Sequence, residues 1–133
     1  MALNVAEQLK KLMIKKGINL INANILIMGF TFKENCPDIR NSKVADLINE
    51  ISKYNSNIDA YDPWANKSDV KKEYAINLIE KPIEGKYDAI ILAVAHNDFK
   101  NMSAREINSF GRENHVIYDL KYLLDFREID QRL

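Results

Sequence analysis

Two cations stand in a long loop between an apolar run and an amphipathic stretch. Lys33 and Arg40 lie in GFTFKENCPDIRNS, residues 29–42, which follows ILIM at residues 25–28. In an α/β unit this junction lies outside the carboxyl end of a strand and beside the N-terminus of the next helix, where phosphates bind. Lysine offers a point charge there and arginine a planar fork. The pattern favours an anionic ligand; a surface loop with solvated charges is the alternative.

The loop lacks the glycine pattern of a dinucleotide-binding turn. That turn, Gly-x-Gly-x-x-Gly, lets bare backbone approach a pyrophosphate, whereas Gly29 is the single glycine of residues 29–42. The loop is also long, because connections of this kind usually contain about 2–6 residues. Phosphate recognition here would therefore depend on charged side chains more than on close backbone approach.

Predicted helices and apolar strands alternate along the whole chain. We predict helices at residues 5–16, 42–54, 68–74 and 103–110, and strands at residues 24–28, 58–61, 76–79, 89–95 and 116–118. Gly17 is expected to end the first helix, Ser42 or Asn41 to cap the second, and Ser103 to open a capping box with Glu106. The run at residues 89–95 is apolar throughout, as in a parallel strand covered on both faces. The alternation predicts an α/β fold with a doubly wound, mainly parallel sheet and helices on both faces.

Composition indicates one globular domain. The 133 residues are 47% hydrophobic and 29% charged, and 19 Lys plus Arg balance 19 Asp plus Glu. The balanced charge argues against nucleic-acid or membrane-surface binding. No apolar run approaches the roughly 20 residues needed to span a bilayer, and the first residues do not resemble a signal peptide. Because Cys36 is the single cysteine, no internal disulfide is expected, and the cytoplasm is the expected compartment.

The loop motif resembles the signature of a known enzyme family. GFTFK at residues 29–33, followed by Asp38, Arg40 and Ser42, is similar to the C-terminal domain of the UDP-glucose/GDP-mannose dehydrogenase family. YDP at residues 61–63 and YDLK at residues 118–121 fit the same pattern. The resemblance extends from about residue 5 to about residue 125, and is strongest to the branch that oxidises UDP-N-acetylhexosamines for bacterial surface polysaccharides.

The resemblance implies a Rossmann-like domain of an NAD-dependent nucleotide-sugar 6-dehydrogenase, which converts a UDP-sugar to its uronic acid. In the family an N-terminal domain carries the Gly-rich NAD loop and the catalytic cysteine, and neither motif is found in this chain. Residues 21–133 are therefore expected to form the UDP-binding domain, and residues 1–20 the end of the interdomain and dimerisation helix. The chain alone is expected to be inactive, and the full-length enzyme to be a homodimer.

The resemblance also implies roles for four residues. Phe32 and Lys33 match positions that bind the nucleotide sugar, and Lys121 matches a basic substrate-binding position that is arginine in many relatives. Arg40 matches a position that reaches NAD bound on the other domain. The alternatives are a hydrophobic plug for Phe32, a local ion pair with Asp38 for Arg40, and a solvated cation for Lys121. No catalytic or metal-binding residue is expected in this chain.

Other conspicuous residues receive structural interpretations. Cys36 has no evident histidine base and is expected to be a small packed side chain. Asp62 follows a strand, where a ribose-binding carboxylate can stand, but is expected to shape the turn before Pro63. Trp64 could line the cleft, face another domain or pack in the core. His96 ends the strongest strand without the convergent ligands of a metal site.

Two other function classes fit parts of the pattern. A free-standing nucleotide- or phosphate-binding module without catalysis would be favoured by a gene that truly begins at Met1. A phosphoacceptor signalling domain shares the doubly wound fold, but needs acidic residues at the ends of early strands. The first strand here ends in Met28 and Gly29, so this class fits least well. The sequence leaves the sugar undecided among glucose and the N-acetylated hexosamines.

Overall fold

The structure is a computed structural model that describes residues 2–132, apart from the side chain of Phe126. Met1 and Leu133, at the outer ends of the predicted ranges 1–20 and 21–133, lie outside it. The elements in chain order are α1 (Ala2–Lys15), β1 (Asn24–Met28), α2 (Lys43–Ser52), β2 (Asn57–Tyr61), α3 (Lys67–Tyr74), β3 (Tyr87–Leu92), α4 (Asn97–Lys100), α5 (Ala104–Ser109), β4 (Gly111–Asp119), a 3₁₀ turn (Phe126–Glu128) and β5 (Gln131–Arg132).

The sheet has five strands in the order β2-β1-β3-β4-β5, and each neighbouring pair is parallel. This is a doubly wound order, in which the winding reverses between β1 and β3. The predicted Rossmann-like α/β fold is therefore confirmed. Because the strands are parallel, the loops that follow β1, β3 and β4 emerge at one edge of the sheet.

Helices cover both faces of the sheet, as predicted. Alternate strand residues point to opposite faces, so the core is divided into two clusters. The cluster beneath α1 and α2 includes Val5, Leu9, Met13, Ile25, Ile27, Leu47, Ile51, Ala89 and Ile91. The cluster beneath α4 and α5 includes Leu26, Met28, Ile90, Leu92, Phe99, Ile107 and Ile117. All six positions of β3 are buried, which explains why residues 89–92 are apolar without alternation.

The predicted helix ends are confirmed. Gly17 has a φ of 75° at the end of α1, a left-handed conformation that glycine adopts without strain. Ser42 caps α2, because its Oγ accepts a hydrogen bond from the amide of Ala45 at 3.2 Å. Ser103 caps α5 in the same way, because its Oγ accepts a hydrogen bond from the amide of Glu106 at 3.1 Å. The return bond of the predicted capping box, from the amide of Ser103 to the side chain of Glu106, is not formed in the described part of the chain.

Three predicted strands differ clearly from the structure, and the last of them, predicted at residues 116–118, extends from Gly111 to Asp119 as β4. Residues 76–79 do not form a strand; Leu78 makes an isolated bridge to Ala60, so that prediction is wrong. β3 ends at Leu92, not at residue 95, because the amides of Ala93 and Val94 both donate to the carbonyl oxygen of Met28, at 2.9 and 3.3 Å, so that the backbone leaves the extended path after the last ladder bond. The short elements α4 and β5 were not predicted, since they carry no extended apolar pattern.

α1 is packed as part of this domain. Val5, Ala6, Leu9 and Met13 are fully buried in the cluster that covers one face of the sheet. A domain boundary at residue 20 stays a prediction. None of the helices within residues 2–132 has the length and apolarity that crossing a membrane requires.

Candidate functional site

A cleft of about 340 Å³ opens at the carboxyl ends of β1, β3 and β4. It lies at the reversal of the sheet's winding, the usual position of a ligand in open α/β sheets. The lining residues come from three strand-to-helix loops and from the start of α2: Thr31, Phe32, Lys33, Glu34, Asn41, Lys43, Val44, Leu47, Ala93, Val94, Leu120 and Lys121.

The structure brings the three predicted substrate-binding residues into this cleft. Phe32 and Lys33 line it from the loop after β1, and Lys121 lines it from the loop after β4. The side chain of Phe32 does not plug the core, because Phe32 is 57% exposed while Phe30 is fully buried. An apolar ring and two ammonium groups therefore border one concave surface.

Lys43 is a third cation in the cleft that sequence reasoning missed. It is the first residue of α2 and lines the cleft beside Asn41. A cation at a helix N-terminus opposes the helix dipole, and this unfavourable placement was the signal in the sequence. Within residues 2–132, neither Lys33, Lys43 nor Lys121 forms an ion pair.

The charge of the lining suits a multiply charged anion. Glu34 is the one acidic residue among the lining side chains, against the three lysines. Unpaired ammonium groups that converge on a concave surface attract negatively charged ligands and bind phosphate as point charges. The cleft can therefore hold a phosphorylated compound whose remaining part packs on apolar side chains.

Arg40 lies in the same loop but outside the cleft lining. Its side chain is 84% exposed, and its NH2 lies 2.8 Å from Oδ2 of Asp38. The hydrogen bond from Arg40 lowers the pKa of Asp38 to about 2. The guanidinium thus forms the local ion pair that was the alternative interpretation, while most of its surface stays open to solvent.

Gly29 is required by a close crossing of two loops. Its φ is 104°, and a Cβ built on it would lie 2.5 Å from Cβ of Val94 and 2.8 Å from the backbone nitrogen of Val94. Real Cβ atoms do not approach so closely. The single glycine of the loop therefore lets the segment after β1 pass the segment after β3, and it faces protein, not the cleft.

Asp62 organises the turn after β2 and the start of the cleft loop. Its Oδ2 accepts hydrogen bonds from the amides of Phe30 and Thr31, at 2.6 and 3.0 Å, and its Oδ1 accepts one from the amide of Trp64 at 2.7 Å. Burial raises the pKa of this carboxyl, but hydrogen bonds from His96 and the three amides outweigh burial, so the pKa is lowered. Asp62 shapes a turn, as the sequence predicts, and also fixes the neighbouring loop.

Asp119 does the same at the end of β4. It is fully buried and accepts hydrogen bonds from the amides of Lys121 and Leu124, at 3.1 and 2.9 Å. These bonds shape the loop that carries Lys121 to the cleft. Neither Asp62 nor Asp119 is exposed as a phosphoacceptor would be, which argues against the signalling-domain interpretation.

The remaining candidates form no reactive pair. Cys36 is a partly exposed free thiol, and neither His96 nor His115 is hydrogen-bonded to it in the described part of the chain. Trp64 is 39% exposed, and its Nε1 donates to Asp98 at 2.9 Å. Between residues 2 and 132, no group of three or more His, Cys, Asp or Glu side chains is placed to hold a metal ion.

Comparison with known proteins identifies relatives over nearly the whole chain. Residues 26–126 match the UDP-binding domain of the UDP-glucose/GDP-mannose dehydrogenase family. The chain is 50% identical over 129 residues to UDP-N-acetyl-D-glucosamine 6-dehydrogenase of Salmonella typhi and 51% identical over 129 residues to that of Pseudomonas aeruginosa. These alignments cover 97% of this chain, but 30% and 31% of the relatives. The chain thus spans about a third of their length.

Solved structures share the fold. UDP-D-ManNAc dehydrogenase from Pyrococcus horikoshii superimposes with a TM-score of 0.74 and 23% identity, over 98% of this chain and 30% of that one. NDP-N-acetyl-D-galactosaminuronic acid dehydrogenase from Methanosarcina mazei superimposes with a TM-score of 0.80 and 16% identity, over 95% of this chain and 26% of that one. With the family match over residues 26–126, the chain belongs to the UDP-glucose/GDP-mannose dehydrogenase family and contains its UDP-binding domain.

Proposed function

We propose that this chain is the substrate-binding part of an NAD-dependent dehydrogenase that oxidises a UDP-N-acetylhexosamine to its uronic acid. The observation that carries the proposal is the cleft at the winding reversal, which Lys33, Lys43 and Lys121 line without ion-pair partners within residues 2–132. The names of the relatives, which share about half of their aligned residues with this chain, support the sugar class.

Lys33 and Lys121 hold the diphosphate of the UDP-sugar in this proposal. They stand on loops after different strands, so that an anion between them is held from two sides. Phe32 contacts the nucleotide sugar with its exposed ring. Lys121 acts as a point charge, because lysine lacks the planar fork of an arginine.

The described residues lack the glycine-rich turn with which a dinucleotide-binding domain holds NAD. The dinucleotide turn needs glycines that approach a pyrophosphate, whereas Gly29 packs against Val94. We therefore propose that NAD is held mainly by another domain of the full-length enzyme, and that Arg40 reaches it with its exposed guanidinium. The same proposal assigns residues 1–20 to the interdomain helix and residues 21–133 to the UDP-binding domain of a homodimeric, cytoplasmic bacterial enzyme for polysaccharide synthesis.

The proposal is tested by titrating the isotope-labelled chain with UDP-N-acetylglucosamine and, separately, with NAD, followed by NMR. We expect shifts of the amides near Phe32, Lys33 and Lys121 with the UDP-sugar. Lys33→Ala should weaken binding by the free energy of a charged hydrogen bond, about 1.5–3 kcal/mol. Lys72→Ala is the matched control, since Lys72 is exposed on α3 and does not line the cleft.

Two kinds of result would contradict the proposal. The first is a failed binding test: either Lys33→Ala and the original chain have equal affinity for the UDP-sugar, or the original chain shows no amide shifts with the UDP-sugar at millimolar concentration. The second is reduction of NAD by this chain alone in the presence of a UDP-sugar, because the proposal places the catalytic cysteine and the NAD loop elsewhere. UDP binding without any contribution to an oxidation would favour the free-standing binding module.

A further inference from the structure

His96 is fully buried beneath the cleft loop and hydrogen-bonded at both ring nitrogens. Its Nε2 lies 2.9 Å from Oδ2 of Asp62, and its Nδ1 accepts a hydrogen bond from the amide of Asn35 at 2.9 Å. An amide can only donate, so Nδ1 must be the unprotonated nitrogen and Nε2 must carry the proton. The two partners together select one neutral tautomer of the ring.

The ring is enclosed by aromatic side chains. Trp64 stacks on it with a centroid distance of 5.9 Å and an interplanar angle of 23°, and the ring centroid of Phe99 lies 5.5 Å away. The hydrogen bonds of His96 are therefore shielded from water, where they are stronger and more costly to leave unmade. The hydrogen bonds at both ring nitrogens and the two aromatic contacts together fix the position of the imidazole.

Two of the hydrogen bonds that hold the backbone around Lys33 lead to this ring, whereas a third, from the amide of Phe32 to the carbonyl oxygen of Asp38 at 2.7 Å, stays within the loop. Thr31 Oγ1 lies 3.2 Å from Nε2 of His96 and donates to the carbonyl oxygen of Lys33 at 3.0 Å. Asn35, two residues after Lys33, donates its amide to His96 and accepts from the amide of Asn97 at 2.9 Å with its side-chain oxygen. The loop is thus attached to the end of β3 on both sides of Lys33.

We propose that His96 is a positioning residue of the UDP site: its neutral ring, oriented by Asp62, holds the Lys33 loop in the ligand-binding conformation. This inference rests on the proposed function. The backbone of Lys33 is fixed while its ammonium group is left without an ion pair among residues 2–132. Without the anchor, the loop would be ordered only on binding, and the lost conformational entropy would weaken the affinity.

Two substitutions separate the two bonds of the ring. In His96→Asn the side-chain oxygen stands near the place of Nδ1 and can still accept from the amide of Asn35, but the side chain is too short to reach Asp62. In His96→Gln the terminal amide nitrogen stands near the place of Nε2 and can donate to Asp62, but nothing accepts from Asn35. Both variants lose the ring, so that each is the packing control for the other.

The readouts are UDP affinity by calorimetry and hydrogen exchange of the Asn35 amide by NMR. We expect His96→Gln to expose the Asn35 amide and to lose about tenfold in affinity, the worth of one such hydrogen bond, with a smaller loss in His96→Asn. Equal affinities of both variants and the original chain would overturn the proposal. So would equal losses in the two variants while the Asn35 amide stays protected.

A merely structural role and a failure of the proposed function give different results. If the original chain does not bind UDP, the proposed function fails, while faster exchange at Asn35 in His96→Gln still supports the anchor. If His96→Gln does not fold, Thr31→Val serves instead, because it removes the hydroxyl that lies 3.2 Å from Nε2 of His96 and donates to the carbonyl oxygen of Lys33. Unchanged UDP affinity of a folded Thr31→Val with faster loop exchange would overturn the link between anchoring and binding.

Discussion

Arg40 and Asp38 form a two-bond ion pair within one loop. Arg40 Nε lies 3.0 Å from Oδ1 of Asp38, and Arg40 NH2 lies 2.8 Å from Oδ2. The backbone amide of Arg40 also donates to Oδ1, so the pair closes a small turn. Arg40 is therefore oriented by its own loop, and any contact that it makes with a ligand has to start from this arrangement.

Removal of Arg40 should restore an ordinary titration of Asp38. The hydrogen bonds of Arg40 hold the pKa of Asp38 at about 2, below its ordinary value of 3.8. In Arg40→Gln we expect the pKa of Asp38 to rise toward 3.8, measured from the carboxyl ¹³C shift during an acid titration. Arg127→Gln is the matched control, because Arg127 pairs with Asp125 in the same geometry elsewhere. An unchanged pKa of Asp38 in Arg40→Gln would show that the pair does not persist in solution.

Substitution of Gly29 should destabilise the fold more than substitution of a glycine in open space. Gly29→Ala places a methyl group 2.5 Å from Cβ of Val94, in addition to the strain of a φ of 104°. Gly17→Ala meets the strain alone, since no atom lies within 4 Å of the added Cβ. By urea denaturation, we expect Gly17→Ala to lower the free energy of unfolding by about 1 kcal/mol or slightly more, and Gly29→Ala to lower it clearly more. Equal losses of unfolding free energy in the two variants would mean that the loops after β1 and β3 separate easily.

The acid stability of the domain should depend on Asp62. The pKa of Asp62 is lowered in the fold, so the ionised carboxylate contributes stability above its ordinary value near 3.8 and loses it as the pH falls through the folded value. Asp62→Asn should therefore lower the free energy of unfolding at neutral pH and flatten its decline below about pH 4. Asp125→Asn removes an exposed carboxylate whose pKa is also lowered, and should change the profile less because solvent screens it. Parallel profiles of the original chain and Asp62→Asn would contradict this role.

Local features of the structure could be predicted from the sequence. β1 is a continuous apolar run, α2 carries a clear apolar periodicity, and Ser42 stands where a helix cap is expected. The placement of Lys33 and Lys121 beside one cleft followed from a family motif, since the spacing between them is uninformative. β5 could not be predicted, because it consists of two polar residues, Gln131 and Arg132, which carry no strand pattern and are defined as a strand by their pairing with β4.

The buried hydrogen-bond network beneath the cleft could not be predicted from the sequence, for a different reason. His96 and Asp62 are separated by 34 positions, and their side chains meet only because β1 and the loops around it bring them together. A histidine after an apolar strand suggests an exposed edge residue, yet His96 is fully buried. Its partners include the backbone amide of Asn35, which no residue type reveals in a sequence.

Substitution of Lys43 tests whether one charge both lowers the stability of the fold and strengthens the binding of an anion. It is the first residue of α2, where its charge opposes the helix dipole. Lys43→Gln should therefore raise the free energy of unfolding by about 0.3–1 kcal/mol while weakening the binding of UDP. Lys67→Gln is the matched control, because Lys67 is the first residue of α3 and does not line the cleft.

The two variants separate the helix effect from the ligand effect. Lys67→Gln should leave UDP affinity unchanged, and its gain in stability should be reduced by the loss of the ion pair between Lys67 and Glu80. Urea denaturation and calorimetric titration of both proteins with UDP provide the comparison. Unchanged UDP affinity in Lys43→Gln would remove Lys43 from the proposed site, whereas a loss of stability would contradict an unfavourable interaction between its charge and the helix dipole.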